Sequence, residues 1–433
     1  VIILKTKFLE MFLKGYFFAA VFLFFTILGV IVGQKNPALY ESLRVVWVTV
    51  KHQLVKQPPH FVLPAKYPGE GVIFLAKEKV FDGATLVSSF WPNDQGVWML
   101  GIRLIDLNGV VLHSWSVDPK SIWPESPHHD YATREYNDKV DTLIHGMQLF
   151  PNGDIVFNLE FFSLVKMNAK GEVIWKIPRR THHSIFVDEE GNYWVSGMKW
   201  HDQANEVPYP GIKAPVAEDT ILKVSPDGVI EREISVLKVI FDSGYLGLLH
   251  DKTGDLLHLN DIEVLGSEMA KKFPDFSEGD IMVSLRNINS IIIIDGKTEK
   301  IKWYMSHPFI QQHDPDFESD GSIVVFDNQY AQGSTSSAES RILKVDAGRN
   351  SFEVMYEGSA AQPFYTARGG KQQLLSNGNL LITETFAGRV FEVTPQGETV
   401  WSWLAPRWGK EHVPEVLEGT RYSYNQLEFI KKE

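Results

Sequence analysis

The chain has 433 residues, 44% of them hydrophobic and 22% charged, with a net charge of -12. That length exceeds what one small core needs, so several domains or one large repetitive one is expected, and the acidic balance argues against a nucleic-acid partner because phosphate binding wants a basic face. Cysteine is absent, which excludes disulfides, thiolate metal sites and cysteine nucleophiles without fixing a compartment.

Lys5, Lys7 and Lys14 precede the run GYFFAAVFLFFTILGVIVGQ, residues 15–34, which carries no charge. At about 1.5 Å rise per residue such a run spans roughly 30 Å, the hydrocarbon thickness of a bilayer. Residues 1–14 are therefore expected to form a short cytoplasmic N-terminus and residues 15–34 a single transmembrane helix, an uncleaved signal anchor with the rest of the chain outside the cytoplasm. A cleavable signal peptide competes, but its apolar region would be shorter and no A-x-A-like site follows. Residues 35–68 read as a juxtamembrane helix and linker. The segment PALYESLRVVWVTVKHQLVKQ mixes apolar and basic positions, as would an amphipathic helix on the membrane, one on a membrane-protein partner, or a plain spacer; Pro58, Pro59 and Pro64 mark the linker.

From about residue 70 the pattern becomes strand-like runs punctuated by turn residues. RLIDLNGVVLHSW (103–115), LVKMNAKGEVIWKI (164–177), ILKVSPDGVIEREI (221–234), IIIIDGKTEKIKWYM (291–305), ILKVDAGRNSFEVMY (342–356) and VFEVTPQGETVWSW (390–403) read alike. Each is a strand, a glycine-containing turn and a strand, often ending at Trp. Five of the six follow a second unit of the same kind, such as QLFPNGDIVFNLE or DFESDGSIVVFDN. Two hairpins per repeat give four strands, the mark of a propeller blade. The fold class is thus all-β: a six-bladed β-propeller over residues 69–404, with residues 405–433 as a C-terminal tail packing on it. Seven blades or a two-domain sandwich are the alternatives. GVIFLAKEK and TLVSSFW are expected to complete the first blade.

A phase appears when the first turn glycine of each blade is used as a ruler. His145 lies eight residues before Gly153, His183 eight before Gly191 and His313 eight before Gly321. His258 opens its blade similarly, and Gly370 takes the position in the last. Equal phase on radially arranged inner strands brings these histidines to one mouth of the central channel. Arg286 returns to the same face from the second strand, with Glu160 and Asn328 at the equivalent phase in their blades. Several imidazoles and a guanidinium suit a tetrahedral oxyanion such as sulfate or phosphate. A histidine near the start of an inner strand also commonly bonds between blades, and His128, His129, His182, His201 and His307 have no argument beyond such roles. Imidazoles suit a metal too, but no H-x-x-x-H helix or carboxylate triad accompanies them, so neither metal nor cofactor is expected.

HGMQLFPNGD, HLND, SLRNINSIIIID, QQHDPDF followed by GSIVVFDN, and SNGNLLITE with ETVWSW resemble the bacterial arylsulfate sulfotransferases, which transfer sulfuryl groups without the nucleotide donor PAPS. The resemblance covers about His145 to Trp403 and implies a six-bladed propeller with its site at the channel mouth. It implies an aryl sulfate donor, a phenolic acceptor and a periplasmic setting, here on the outer face of a bacterial inner membrane. It also implies His313 as the nucleophile that becomes transiently sulfurylated, with His258, Asn260 and Arg286 around the sulfuryl group and His145 as a further site histidine. His183 shares the phase and is a candidate substrate contact. Tyr330, Phe364 and Tyr365, in inter-blade connections, could stack on an aryl ring, although packing is the ordinary role of each. No Walker-type loop is present, in keeping with a reaction that needs no nucleotide. The alternatives left open are a non-catalytic propeller serving as scaffold or accessory subunit of a membrane complex, or as a homo-oligomer, and a sulfate or phosphate ester hydrolase.

Overall fold

Runs such as Ser290–Ile294 (SIIII) and Ile323–Asp327 (IVVFD) are buried at every position. A strand covered on both faces by neighbouring sheets has no solvent side to alternate with, so β-branched residues fill it continuously. Outer strands such as Val173–Ile177 and Ser351–Glu357 are mostly exposed. The computed structural model describes residue 21 and residues 58–128, 142–203, 207–330 and 339–430. The chain divides into two compact units, Val1–His60 and Phe61–Glu433. The expected cytoplasmic N-terminus, anchor and juxtamembrane helix lie outside the described residues, residue 21 apart. Among the described residues no helix is long and apolar enough to cross a membrane.

The second unit is a six-bladed propeller, each blade built on four antiparallel strands in radial order, with a fifth strand added to two of them. Blades 2 to 5 are continuous in sequence and begin at the inner strands Ile144–Leu149, Arg180–Val187, Leu259–Val264 and His313–Phe317. Blade 6 begins at Lys371–Leu374. Blade 1 is composite: its inner strand is Glu418–Tyr422, paired with Ala84–Pro92. The C-terminal segment thus supplies the strand that closes the ring. GVIFL does not join blade 1 as expected. Gly71–Leu75 instead pairs with Thr399–Leu404 as a fifth, outer strand of blade 6, so the two ends of this unit clamp adjacent blades.

The recurrent Trp has a specific task. Trp115 Nε1 donates to Asn168 O at 3.2 Å, Trp175 to Pro226 O at 3.0 Å, Trp303 to Asn350 Oδ1 at 2.8 Å and Trp401 to Leu107 O at 3.0 Å. Each indole leaves an outer strand and reaches the outer hairpin turn of the next blade, the last returning to blade 1. A large apolar body with a single donor at its edge suits a packed boundary that offers one carbonyl or amide oxygen. The period legible in the sequence is therefore also the spacing of the inter-blade fastenings.

Candidate active site

Four inner strands break register just where their histidine or asparagine stands: between Ile144 and Met147, His182 and Ile185, Leu259 and Asp261, and His313 and Asp316. Bulges of this kind re-aim side chains and recur beside functional sites. His183 and His258 take left-handed backbone, φ 54° and 55°, an uncommon conformation for residues with a Cβ. Gly146, at φ 85°, allows blade 2 to approach blade 3, since a Cβ there would lie 1.9 Å from His183 O.

The expected histidines meet. The ring centroids of His183 lie 4.1 Å from His145, 4.8 Å from His258 and 6.4 Å from His313. His183, expected only as a candidate substrate contact, is the hub. His145, His183, Asn260 and His313 are all buried.

The tautomer of His313 follows from its neighbours. Its Nδ1 is 2.7 Å from Asn328 Oδ1 and 3.0 Å from Gln311 O. The Asn328 amide nitrogen donates to Thr366 O at 3.0 Å and Gly369 O at 2.7 Å, which fixes the amide so that its oxygen faces the imidazole. Two acceptors at Nδ1 require the proton there, leaving the Nε2 lone pair for chemistry. Burial, and then the Arg286 charge, push the pKa of His313 well below the ordinary imidazole value, outweighing its bond to Asn328. The ring is neutral at pH 7.

His258 Nδ1 lies 2.5 Å from Asp255 Oδ2, and its Nε2 is 3.2 Å from His183 Nε2. Asp255 is placed by the short strand Gly254–Asp255, which runs parallel beside Val216–Ala217. Burial would raise the Asp255 pKa, but His258 and Arg286 hold it below the ordinary carboxylate value. An ionised Asp255 therefore accepts from His258 Nδ1–H. Arg286 follows the strand Ile281–Leu285; its amide donates to His258 O at 3.1 Å, and its Nη2 lies 4.0 Å from Asp255 Oδ2. Asn260 donates to Gln312 O at 2.8 Å, while its buried Oδ1 has no hydrogen-bond partner among the described residues.

His145 Nδ1 and Glu160 Oε1 lie 3.1 Å apart, and Glu160 is kept ionised because His145 and the neighbouring histidines outweigh its burial. The ligand atoms of His145, Glu160 and His183 fall within 4.8 Å of one another, close enough to hold a metal ion. His145 and Glu160 already bond each other, however, and both nitrogens of His183 are engaged by His182 and His258. The cluster reads as a hydrogen-bonded network.

On the channel side of the histidines lies a cavity of about 80 Å³ bordered by Asp261, Glu263, Asp314, Asp316, Lys371 and Glu418. Burial first, and then neighbouring carboxylates, raise Asp261 to about 8 and push Glu263 and Asp316 well above the ordinary range. Lys371 contacts Asp314 at 2.5 Å.

Burial, and then the neighbouring Tyr330, raise the Tyr365 pKa, and the Tyr365 ring faces the Lys66 ammonium at 5.2 Å. Neither is in the described hydrogen bonds or ring contacts of the histidines. Phe364 is fully buried among Phe326, Tyr356 and Phe391, which leaves it no face for a substrate. The sequence reading missed Asp255, three residues before His258, and His182, whose Nδ1 is 2.9 Å from His183 Nδ1.

A family model described as arylsulfotransferase (ASST) matches residues 146–405, more than half of the chain. The chain belongs to the arylsulfotransferase family. Membership makes it an aryl sulfotransferase, with aryl sulfates and phenols as the implied substrates. The matched span of this arylsulfotransferase includes His183, His258, Asn260, Arg286, His313 and Asn328, with His145 immediately before it. No curated protein matches the sequence. Among solved structures it is similar to a protein of unknown function from Bacteroides caccae, at 12% identity and TM-score 0.46, over 77% of this chain and 99% of that one. It is also similar to a streptogramin B lyase, at 15% identity and TM-score 0.41, over 78% and 87% of the two chains. Hydrazine synthase of Kuenenia stuttgartiensis is similar at 12% identity and TM-score 0.42, over 78% and 80%.

Proposed function

We propose that this arylsulfotransferase moves a sulfuryl group from an aryl sulfate to a phenol through a covalent sulfohistidine on His313. The observation that carries the reading is the fixed Nδ1–H tautomer of His313, held by Asn328 Oδ1 and Gln311 O at 2.7 and 3.0 Å. In the first half-reaction Nε2 attacks sulfur in line, the N–S bond forms, and the S–O bond to the aryl group breaks with its electrons going to the phenolate. Nδ1–H stays bonded to Asn328 throughout. Arg286 and Asn260, with His145 beside them, border the sulfuryl group; donors aimed where charge develops are each worth about 10²–10³ in rate. At the His183–His258 pair, whose Nε2 atoms lie 3.2 Å apart and share one proton, the leaving phenolate gains that proton and the incoming phenol returns it, with His258 backed by ionised Asp255. In the second half-reaction the acceptor oxygen attacks sulfur, the N–S bond breaks and His313 is regenerated, which gives ping-pong kinetics. Tyr330 and Tyr365 are the proposed aryl contacts.

The uncharged run at residues 15–34, flanked on its N-terminal side by three lysines, supports a membrane-anchored enzyme with its propeller on the periplasmic side. Washing membranes with carbonate should leave the full chain in the pellet; release would sink the anchor.

The test of the reaction incubates the purified full chain with 4-nitrophenyl sulfate, with and without a phenol. Expected are a stoichiometric burst of nitrophenolate without acceptor, steady turnover with it, and loss of both in His313→Ala. Sustained release without acceptor would instead show a hydrolase. Inactivity of the wild type across a broad panel of donors would favour a non-catalytic scaffold.

A further inference from the structure

Successive residues of a strand point to opposite faces, yet His182 and His183 bring their Nδ1 atoms to 2.9 Å. The bulge between His182 and Ile185 and the left-handed backbone of His183 make this contact. Four contacts then run in series. Asp255 Oδ2 to His258 Nδ1 is 2.5 Å, His258 Nε2 to His183 Nε2 is 3.2 Å, and His183 Nδ1 to His182 Nδ1 is 2.9 Å. Last, His182 Nε2 lies 3.7 Å from Asp219 Oδ1. That final gap is too long for a hydrogen bond. Among the described residues His182 Nε2 and Asp219 Oδ2 are both buried without a hydrogen-bond partner, which leaves each available to the other.

With neutral imidazoles the direction of the chain is forced. Asp255 is a carboxylate, so His258 carries its proton on Nδ1 and offers the Nε2 lone pair. His183 must then donate from Nε2 and accept at Nδ1, and His182 must donate from Nδ1. His182 Nε2 is left as an acceptor aimed at Asp219, which completes the series only if it holds a proton. Burial, and then the Asp255 charge, push the Asp219 pKa well above the carboxylate range, while burial brings His182 down to about 3. Asp219 also accepts from the backbone N–H groups of Leu259 and His258, which together with the Arg286 charge oppose its rise without cancelling it. Facing the histidines are Glu160, 3.9 Å from His183 Nδ1, the His145 and His313 rings, and the Phe161 ring 4.9 Å from His182.

We propose that Asp219, His182 and His183 are an internal proton store for sulfuryl transfer, giving a proton at the His183–His258 pair when the phenolate leaves and recovering it when the acceptor phenol attacks. The inference rests on the reaction proposed above. In the donor half-reaction the phenolate oxygen gains the proton delivered at the paired Nε2 atoms. His183 is reprotonated at Nδ1 by His182, and His182 at Nε2 by Asp219, which ends as carboxylate. In the acceptor half-reaction each transfer reverses. One proton is conserved over the cycle, and both histidines exchange tautomers twice. Asp219 and His182 act through His183 and are positioning residues for the proton; they do not touch the substrate.

The test compares phenyl sulfate with 4-nitrophenyl sulfate as donors to the full-length wild type, Asp219→Asn and His182→Gln. Phenolate, whose conjugate acid has a pKa of about 10, needs the proton; nitrophenolate, a far weaker base, does not. Both variants should lose roughly 10²-fold in kcat/KM on phenyl sulfate, the scale of general-acid help, with 4-nitrophenyl sulfate held within about threefold. Equal losses on both esters, or no loss on either, would overturn the store. Nitrogen NMR of the wild type keeps the idea falsifiable should a variant not fold. The resting enzyme should show His183 protonated at Nε2 and His182 at Nδ1, and the enzyme sulfurylated by phenyl sulfate the reverse. A resting His183 protonated at Nδ1, or no exchange on sulfurylation, overturns the proposal. Wild type inactive on both esters strikes the reaction itself, and the resting tautomers still decide the wire.

Discussion

Asn328→Ala tests the feature on which the reaction depends most. The side chain is fully buried and makes three bonds: its oxygen to His313 Nδ1 at 2.7 Å, its nitrogen to Thr366 O at 3.0 Å and to Gly369 O at 2.7 Å. Thr366 O keeps a donor in Ser340 Oγ at 3.3 Å, so Gly369 O is the acceptor orphaned by the change. One orphaned buried acceptor plus the lost bonds should cost about 2–4 kcal/mol of stability. At His313 only Gln311 O remains to hold Nδ1–H. Losing one net hydrogen bond, about 1–1.5 kcal/mol, shifts the tautomer balance up to about tenfold toward the form with no lone pair on Nε2. The ring also loses an orienting contact, so the nitrophenolate burst should slow by about 10–100-fold. Rapid-quench measurement of the burst, with denaturation to confirm the stability loss, is the assay. A folded, destabilised Asn328→Ala bursting within twofold of the wild-type rate would refute Asn328's part in the tautomer argument, because Gln311 O alone would then be holding the nucleophilic nitrogen free.

Three further outcomes follow from the same geometry. Gly146→Ala places a Cβ 1.9 Å from His183 O at φ 85°; it should cost about 3 kcal/mol or more and abolish activity, and a normal melting temperature would contradict that packing. Arg421→Met removes a fully buried partner of Glu392, 3.1 Å away, and leaves that carboxylate uncompensated in the ring-closing blade contact; a loss of about 3–5 kcal/mol in urea unfolding is expected, against none if the pair is idle. Asp261, raised to about 8 by burial first and then by the Asp314 charge, binds a proton in the folded chain that the unfolded chain has released above about pH 4. Its penalty therefore grows as pH rises from about 4 to 8 and is constant above that. Asp261→Asn should gain stability over wild type by a few kcal/mol more at pH 8 than at pH 5, and an equal difference at both pH values would show that the wild-type carboxyl is not held protonated.

What the sequence reveals of this molecule is what repeats. Turn glycines recur with the hairpins, the indoles of Trp115, Trp175, Trp303 and Trp401 recur because four of the six blades make the same fastening to the next, and the histidine phase is legible because the strands are radially equivalent. What it hides is long-range or local exception. EGTRY at residues 418–422 has almost no apolar signal, since Arg421 is spent on Glu392 and Gly419 on a close approach to Thr383 and Val390, so nothing in its pattern marks it as the closing strand. GVIFL carries a strand pattern that cannot say which blade it joins. His182 is hidden for a different reason. An alternating strand would turn it away from His183, and only the bulge joins them. Asp219, on the third strand of its blade, has no spacing relation to any histidine at all.

The one physical agent acting along the channel is desolvation, and its sign depends on the group. It lowers the imidazoles of His182, His183, His258 and His313, and it raises the carboxyls of Asp219, Asp261, Glu263, Asp316 and Glu418. Groups that would be charged in water are thereby held neutral within reach of one another. The exceptions carry specific partners: Glu160 is kept ionised by His145, and Asp255 by His258 and Arg286. A sulfate ester entering such a site meets the lone pair of His313 Nε2, neutral imidazoles and the Arg286 guanidinium rather than a ring of imidazolium charges. Neutral imidazoles bind the ground-state anion less tightly than a cluster of cations would, and in the proposed reaction the proton shared by His183 and His258 still answers the charge that appears on the bridging oxygen as the S–O bond breaks. That difference between ground state and transition state is what accelerates a reaction, and in the proposed store the same burial that keeps His313 neutral favours a proton on Asp219 behind His182.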